Sequence, residues 1–333
     1  MVSKIVEERA WVIKIGDRMT VHIAIELCLA IDKAIQIDQG ATYRGWLGKV
    51  LPHMADAYRD TEESHRSHMG ASQLGQDCGR AVWYSFHWAT KAAHDGRMLR
   101  LFNRGHIEEA RFIAMLLTVG MPVYQQDADG KQFRIHFGDG HGGGSGDGVT
   151  VYNDTPTLLE CKTHNEKSFT ELAGKLHEWR AYLEGEGHFK GKGVREAKPE
   201  HFVQAQIYMR KMGLATCLYL AVNKNTDDLY IELITLNPEH ADQYIDRGEK
   251  LIQTLKPPDK ISPSPGFWKC TWCEHKPVCH MKRDPDRNCR TCEYIQLGSN
   301  ATWHCAHPTQ RAILTTDKQL TGCPLYKIAK HYR

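Results

Sequence analysis

The sequence has no long apolar run, no excess of one charge and no internal repeat. The N-terminal stretch MVSKIVEERAWVIKIGDR mixes acids with bases, so we expect neither a signal peptide nor a membrane anchor. Lys and Arg number 43 and Asp and Glu 40, a net charge of +3. This balance permits nucleic-acid binding through a local patch but does not argue for it. We expect a cytoplasmic protein with no membrane partner.

The composition is that of a folded protein with an unusual distribution of cysteine. A hydrophobic content of 41% and a charged content of 25% are ordinary for a globular chain, and 333 residues can bury a substantial core. Seven of the 11 cysteines lie between positions 270 and 323, several in C-x-x-C pairs. In a reducing compartment this pattern indicates metal ligands rather than disulfides.

The stretch from Gly143 to Lys162 carries the most distinctive chemistry. Asp147 lies in a glycine-rich turn and is followed by an apolar segment predicted as a buried strand. Side chains alternate along a strand, so Glu160 and Lys162 share a face and Cys161 lies on the other. If Asp147 ends the neighbouring strand, two carboxylates meet beside an ammonium, a set that suits Mg²⁺ or Mn²⁺. The alternative is a surface Glu and Lys pair, the commoner origin of E-x-K alone.

The apolar periodicity predicts alternating helices and strands and therefore an α/β fold. One helix begins at a Ser72 N-cap and carries Cys78 and Arg80. Another has an apolar face that includes Phe102 and an acidic face with Glu108 and Glu109. The remaining predictions are a helical layer over 19–60, a helix over 101–119, strands over 132–139, 146–152 and 158–163, a helix over 167–183, a mobile loop over 184–198, a helix over 199–212, strands over 214–222 and 229–236, and a helix over 238–255.

The cysteines form two groups with metal-ligand spacing. Cys270, Cys273 and Cys279 supply three thiolates and need a fourth ligand, and this spacing suits zinc or an iron-sulfur cluster equally. The second group has zinc-ribbon-like spacing and includes two neighbouring histidines. We expect it to bind a structural Zn²⁺ that folds a short tail. Its thiol ligands are Cys289, Cys292, Cys305 and Cys323.

Taken in order, these motifs resemble the RecB-like branch of the PD-(D/E)XK nucleases, which includes lambda-exonuclease-like and CRISPR-associated members. The resemblance covers about residues 70 to 280, and motifs in a fixed order are more specific than any one of them. The matching segments are Gly105-x-x-x-Glu109, Gly146-Asp147-Gly148, Glu160-Cys161-Lys162, and Gln204-Ala205-Gln206 followed by Tyr208.

The resemblance implies a restriction-endonuclease-like core, in which helices flank a central mixed sheet. A helical N-terminal layer and a small Cys-rich metal-binding C-terminal module would complete the chain. The implied boundaries are 1–68 for the helical region, 69–283 for the nuclease domain and 284–333 for the zinc-ribbon-like tail. Segment 270–279 would close an iron-sulfur cage within the nuclease domain.

The resemblance also implies a role for each matching residue. Asp147, Glu160 and the backbone carbonyl of Cys161 would bind the metal ion. Lys162 would orient or activate water, and Glu109 would assist at the metal. The helix that follows would align Lys162 or the DNA through Gln204 and contact DNA through Tyr208.

A second implied site lies in the pattern S-x5-C-x-R-x-x-x-Y. Here Ser72, Cys78, Arg80 and Tyr84 occupy its places. Cys78 would then be the fourth ligand of a 4Fe-4S cluster, with zinc as the alternative. Arg80 would bind a terminal phosphate of DNA.

The implied activity is that of a Mg²⁺- or Mn²⁺-dependent deoxyribonuclease. The expected enzyme is an exonuclease that processes DNA ends for recombination or repair, and a phage-encoded enzyme of this kind would work in the host cytoplasm. Its partners would be DNA and a single-strand annealing or recombination protein. The alternatives are a structure-specific DNA endonuclease and a catalytically silent DNA-binding or scaffolding protein.

Overall fold

The computed structural model describes residues 21–61 and 65–332. The predictions for the N-terminal segment, including the absence of a signal peptide, concern residues outside these ranges. The described chain forms two compact units, the first made of 21–61, 94–135 and 145–241, the second of 65–93, 136–144 and 242–332. The boundaries 1–68, 69–283 and 284–333 stay a prediction, because compactness does not show which segments fold independently.

The described residues contain both helices and strands in alternation. The helices are α1 (Ile25–Ile37), α2 (Ala41–Val50), α3 (Gly79–Phe86), α4 (Gly96–Thr118), α5 (Glu166–Ala173), α6 (Leu176–Leu183), α7 (Gly193–Ala197), α8 (Pro199–Met212), α9 (Pro238–Gln253), α10 (Trp268–Thr271), α11 (Lys276–His280) and α12 (Thr316–Thr321). The strands are β1 (Met69–Gly70), β2 (Val123–Tyr124), β3 (Arg134–Phe137), β4 (Gly142–Ser145), β5 (Gly148–Tyr152), β6 (Thr155–His164), β7 (Thr216–Asn223), β8 (Leu229–Thr235), β9 (Ile295–Leu297), β10 (Trp303–Cys305) and β11 (Ala312–Leu314).

A mixed five-stranded sheet in the order β2-β5-β6-β7-β8 forms the centre of the first unit. Only β6 and β7 run parallel, and the other neighbouring strands are antiparallel. Helices α1 and α4 cover one face through a cluster that includes Ile31, Leu116, Leu218 and Ile231. Helices α5 and α8 contact β6 and β7. The predicted α/β class, with a mixed sheet between helices, is confirmed.

Helix α4 combines a buried half with an exposed half. Asp95 caps its start by accepting a hydrogen bond of 2.7 Å from the backbone N–H of Met98. Burial begins only at Glu108, which pairs with Arg111. The prediction that Phe102 lies on the packed face is wrong, because its side chain is 42% exposed.

Several predicted elements differ in detail from the structure. Ser72 lies inside a short 3-10 turn, and α3 begins after Cys78 without a side-chain cap, so Ser72 is not the N-cap of that helix. The helix predicted over 167–183 is divided in two at Gly174, whose φ of +93° ends α5. The segment predicted as a mobile loop contains α7, where the N–H of Val194 is buried and donates to Glu232 at 2.8 Å.

Two small sheets, β1-β4-β3 and β9-β10-β11, are separate from the central sheet. The second unit has an aromatic core around Trp83 and Tyr84. Arg290 is 2% exposed and its guanidinium lies 3.7 Å from the ring centre of Trp88. The same guanidinium donates to Gln319 and to the carbonyls of Phe86 and Ser67. The segment that carries the last four cysteines is therefore packed into this unit. No helix among the described residues has the length and apolar character needed to cross a membrane.

Candidate active site

The start of β5 determines where Asp147 lies. Gly148, the first residue of β5, pairs with Leu159 of the antiparallel strand β6. Residues 160–164 of β6 therefore extend beyond β5 and have no partner strand on that side. Gly148 has a φ of +151°, and a Cβ there would lie 3.0 Å from the carbonyl oxygen of Tyr124. Glycine therefore permits the turn that places Asp147 against the open edge of β6. The Asp147 carboxylate accepts a 2.8 Å hydrogen bond from the N–H of Cys161.

That hydrogen bond also shows where the Cys161 carbonyl points. In a strand, the N–H and C=O of one residue point to the same side of the strand, toward the same neighbouring strand position. Because the N–H of Cys161 faces Asp147, its carbonyl oxygen faces the same side. The open edge of β6 thus presents a carboxylate and a backbone carbonyl together, both of which are hard oxygen ligands.

Glu160 and Lys162 form a buried ion pair on β6. The Glu160 side chain is 1% exposed and that of Lys162 is 23% exposed. Burial raises the pKa of Glu160 to about 7, although the charge of Lys162 opposes the shift. Burial lowers the pKa of Lys162, but the negative charges of Glu160 and Asp147 outweigh it and hold this pKa above its usual value. Lys162 therefore remains a cation at neutral pH.

Helix α4 adds a third carboxyl group to the same place. Burial, followed by the charge of Asp147, raises the pKa of Glu109 to about 8. Lys162 and Glu160 also act on this carboxyl, so the side chain of Glu109 is close to all three groups. The structure thus brings together Glu109, Asp147, Glu160 and Lys162 from three separate segments.

This arrangement holds more negative charge than one ammonium balances. Crowded buried carboxyls with raised pKa values are stabilised by a cation that replaces their protons. Among residues 21–61 and 65–332, no set of three or more His, Cys, Asp or Glu side chains stands in metal-coordinating geometry. The donor chemistry nevertheless fits a hard divalent ion, since the groups are carboxylates and a carbonyl.

The two glutamines of α8 differ in their surroundings. Gln206 is buried, donates to the carbonyl of Thr235 at 3.0 Å and accepts a hydrogen bond from the N–H of Asn237, so it joins the helix to the sheet. Gln204 is partly exposed. Tyr208 is 3% exposed, which favours a packing role over the predicted DNA contact.

A hydrogen-bonded group that the sequence analysis did not identify lies beside the ion pair. The hydroxyl of Tyr219 bonds Nε2 of His164 at 2.9 Å and Nδ1 of His201 at 2.8 Å. Strand alternation places His164 on the face of Glu160 and Lys162, and that spacing was the available signal. The pairing of Tyr219 beside Glu160 depends on the parallel register of β6 and β7.

The first cysteine group comes together within the second unit. Cys78 precedes α3, Cys270 lies in α10, Cys273 follows α10, and Cys279 lies in α11. Burial raises the pKa of Cys273 and of Cys279, and in both cases the thiol of Cys78 adds to the shift. The predicted fourth residue, Cys78, is therefore close to the other members of the group.

The second cysteine group lines one cavity of about 430 Å³. Burial, followed by the neighbouring thiols of Cys292, Cys323 and Cys305, raises the pKa of Cys289 to about 11. His307 lines the same cavity. Four thiols on one cavity match the donor set of a structural zinc site.

Arg80 has partners inside its own unit. Its guanidinium donates to the hydroxyl of Tyr84 at 3.1 Å and to the carbonyl of Pro258 at 2.7 Å. These two bonds fix the side chain near the first cysteine group. Its predicted contact with a DNA phosphate stays a prediction.

No protein-family model matches the sequence, and no curated protein matches it. Among solved structures, SSO0001 is similar at 16% identity, over 72% of this chain and 97% of that one, with a TM-score of 0.35. LHK-Exo in complex with dAMP is similar at 14% identity over 63% and 90%, with a TM-score of 0.35. The alkaline exonuclease LHK-Exo from Laribacter hongkongensis is similar at 12% identity over 63% and 90%, with a TM-score of 0.33. These values do not establish a shared family.

Proposed function

We propose that this protein is a divalent-metal-dependent deoxyribonuclease that hydrolyses phosphodiester bonds. The observation that carries the proposal is that Asp147 bonds the Cys161 N–H between the paired Glu160 and Lys162, while the charges of all three act on the Glu109 carboxyl. One buried and two partly exposed carboxyls beside one cation are costly for a fold alone, because the carboxyls lose water and repel one another. They are useful where a cation and an anionic substrate bind together.

We propose a role for each residue on the basis of its position. Asp147, Glu160 and the carbonyl of Cys161 would hold Mg²⁺ or Mn²⁺, with Glu109 as an additional carboxylate. When bound, the ion supplies Lewis-acid activation of the phosphate and of water. Lys162, which remains protonated beside Glu160, would hold the attacking water in place and balance the negative charge that develops on the phosphate.

The exposed half of α4 supports a nucleic-acid substrate. Arg97, Arg100 and Arg104 are exposed and are spaced to form one stripe of the helix. Residues 96–107 contain no acid, so nothing within this segment neutralises the stripe. Arg104 also donates to the backbone carbonyl of Lys224 at 3.0 Å. A cationic stripe on the helix that carries Glu109 favours a phosphate backbone as the occupant.

Within this class we propose an exonuclease that processes DNA ends for recombination or repair. The order of motifs along the chain supports this choice, because it resembles the order in lambda-exonuclease-like members of the PD-(D/E)XK nucleases. A structure-specific DNA endonuclease is the alternative, and it would cut covalently closed circles, which an exonuclease cannot use. A catalytically silent DNA-binding or scaffolding protein is less favoured, because it has no need for three crowded carboxyls.

The two cysteine groups complete the proposal. Cys78, Cys270, Cys273 and Cys279 would hold a 4Fe-4S cluster, with zinc as the alternative, and the influence of their thiols on one another supports binding of one shared cluster or ion. The four cysteines on the 430 Å³ cavity would hold Zn²⁺. Both sites would stabilise the second unit without taking part in the reaction.

The test is cleavage of end-labelled linear DNA and of closed circular DNA, with Mg²⁺ or Mn²⁺. The wild-type protein should degrade linear DNA and spare circles, and Lys162→Ala and Glu160→Gln should lose this activity while retaining the wild-type circular dichroism spectrum. Lys167→Ala is the matched control, because Lys167 is exposed and lies five residues from Lys162. Activity in both site variants would refute the site, and cutting of circles would favour the endonuclease.

A further inference from the structure

A chain of hydrogen bonds runs from Ser168 to His201 in the first unit. Ser168 Oγ lies 3.1 Å from Nδ1 of His164, whose Nε2 lies 2.9 Å from the hydroxyl of Tyr219. That hydroxyl lies 2.8 Å from Nδ1 of His201. The two imidazole rings are stacked, with centres 5.8 Å apart. Four side chains from α5, β6, β7 and α8 are therefore held in one arrangement.

This chain adjoins the Glu160 and Lys162 pair. His164 shares the strand face of both residues, and Tyr219 is the partner of Glu160 in the parallel register. Burial, followed by the charge of Lys162, lowers the pKa of His201 to about 3. Burial and the charges of Lys198 and Lys162 lower the pKa of His164 to about 4. Both rings are consequently neutral at neutral pH and close to the ammonium.

The number of protons in the chain determines what each end can do. A neutral imidazole has one N–H, and Tyr219 has one O–H. If Ser168 donates to His164, each later group donates onward, and His201 keeps its proton on Nε2. If the direction is reversed, His201 donates to Tyr219 and its Nε2 becomes an acceptor. In both arrangements the open position of the chain is Nε2 of His201.

That position is free to meet another molecule. Within residues 21–61 and 65–332, Nε2 of His201 has no hydrogen-bond partner, and the residue is partly exposed. An exposed ring nitrogen that bonds only water can exchange that water for a ligand atom at little cost. The charge of Lys162 acts on this ring, so the ring lies near the place where the proposed function puts a phosphate.

We propose that Nε2 of His201 donates a hydrogen bond to a phosphate oxygen of the DNA strand held at the Glu160 and Lys162 pair. Tyr219 and His164 are positioning residues, which hold the ring of His201 and, in the arrangement where Ser168 donates, leave its proton on Nε2. A neutral donor suits this place, because it binds an anionic oxygen without competing with a metal ion for the carboxylates. The inference rests on the proposed nuclease function.

The test compares variants of His201 by steady-state cleavage of linear DNA. His201→Ala should lower kcat/KM by about 10- to 100-fold, the loss expected for one hydrogen bond to a charged group. Gln places its amide nitrogen near the position of Nε2, whereas Asn places its own near Nδ1. His201→Gln should therefore restore much of the activity and His201→Asn little. His177→Ala, at an exposed histidine of α6, is the control for surface histidines.

A second comparison separates positioning from general stability. Tyr219→Phe removes the hydroxyl that orients His201, so it should lower kcat/KM several-fold in the wild-type background. In the His201→Ala background the same change should have no further effect, because the residue it positions is gone. Equal losses in both backgrounds would show that Tyr219 acts on the fold rather than through His201.

The outcomes separate this inference from the proposed function. If the wild type cleaves DNA and Lys162→Ala does not, but His201→Ala is unchanged, the His201 contact is refuted and the nuclease stands. Equal activity of His201→Gln and His201→Asn also refutes it, and this comparison remains decisive even where His201→Ala fails to fold. If the wild type cleaves no DNA, both proposals fall.

Discussion

Metal binding at the carboxyl cluster should weaken steeply as the pH is lowered from 8 to 6. Burial raises the pKa of Glu109 to about 8 and that of Glu160 to about 7, so both carboxyls carry protons at the lower pH. A divalent ion binds the ionised form and must displace these protons. A raised carboxyl pKa therefore means weaker metal binding at every pH below that pKa.

The two raised pKa values determine how far the apparent affinity for the metal ion falls. A single group with a pKa of about 8 lowers the apparent affinity about tenfold at pH 7 and about a hundredfold at pH 6. A second group with a pKa of about 7 adds about twofold and about tenfold at the same two pH values. The apparent affinity for Mn²⁺ should therefore fall by at least a hundredfold between pH 8 and pH 6.

The assay is isothermal titration calorimetry of the DNA-free protein with Mn²⁺ at pH 6, 7 and 8. Repeating each titration in two buffers of different ionisation enthalpy counts the protons released. Glu109→Gln is the control variant, because an amide carries no such proton. The apparent affinity of this variant for Mn²⁺ should lack the loss of about tenfold that protonation of Glu109 causes at pH 7. An affinity that changes less than about threefold across this range would refute the reasoning.

Three further predictions concern the cysteine sites and the packing of the second unit. Anaerobically purified wild type should contain about four irons per chain beyond any zinc, and Cys78→Ser should lose them while Cys28→Ala keeps them; a colourless wild type with zinc in both sites would refute the cluster. Arg290→Met should lower the free energy of unfolding by about 3 kcal/mol or more, because it leaves two buried acceptors, in Gln319 and Phe86, and the partly buried carbonyl of Ser67 without this donor, and urea denaturation measures the change. Burial lowers the pKa of His87 from 6.5 to about 3, so the unfolded state gains a proton that the folded state cannot, and stability present above pH 6.5 is lost below it. Between pH 7 and pH 5 this histidine should cost about 2 kcal/mol, and His87→Gln should flatten the dependence measured by denaturation.

Local pattern was enough to predict strands β5 to β8 of the central sheet, but not β2, and it named the residues placed at the open edge of β6. Alternation in β6 places Glu160 and Lys162 on one face, and a glycine-rich turn before β5 returns Asp147 to the same strand. The helical period of α4 likewise made Glu109 a candidate, although only the fold shows that this acid, rather than its neighbour Glu108, faces the other carboxyls. Their roles in metal binding stay predictions.

The features that the sequence did not reveal depend on partners far along the chain. Ser72 had the side chain of an N-cap, but the backbone there turns into a 3-10 segment before α3 begins. The chain through Tyr219 needs the register of two parallel strands that are about sixty residues apart. Arg290 looks like a surface residue between two cysteines, yet its neighbours are aromatic rings and carbonyls from distant segments. Periodicity does not encode such pairings.

The most direct test of the proposed site is an anomalous-difference map from crystals of the protein soaked in Mn²⁺. The proposal predicts a peak at coordinating distance from the carboxylates of Asp147 and Glu160 and the carbonyl of Cys161, and its absence in Glu160→Gln. A well-ordered site with Mn²⁺ bound elsewhere on the protein and no peak between Asp147 and Glu160 would contradict it.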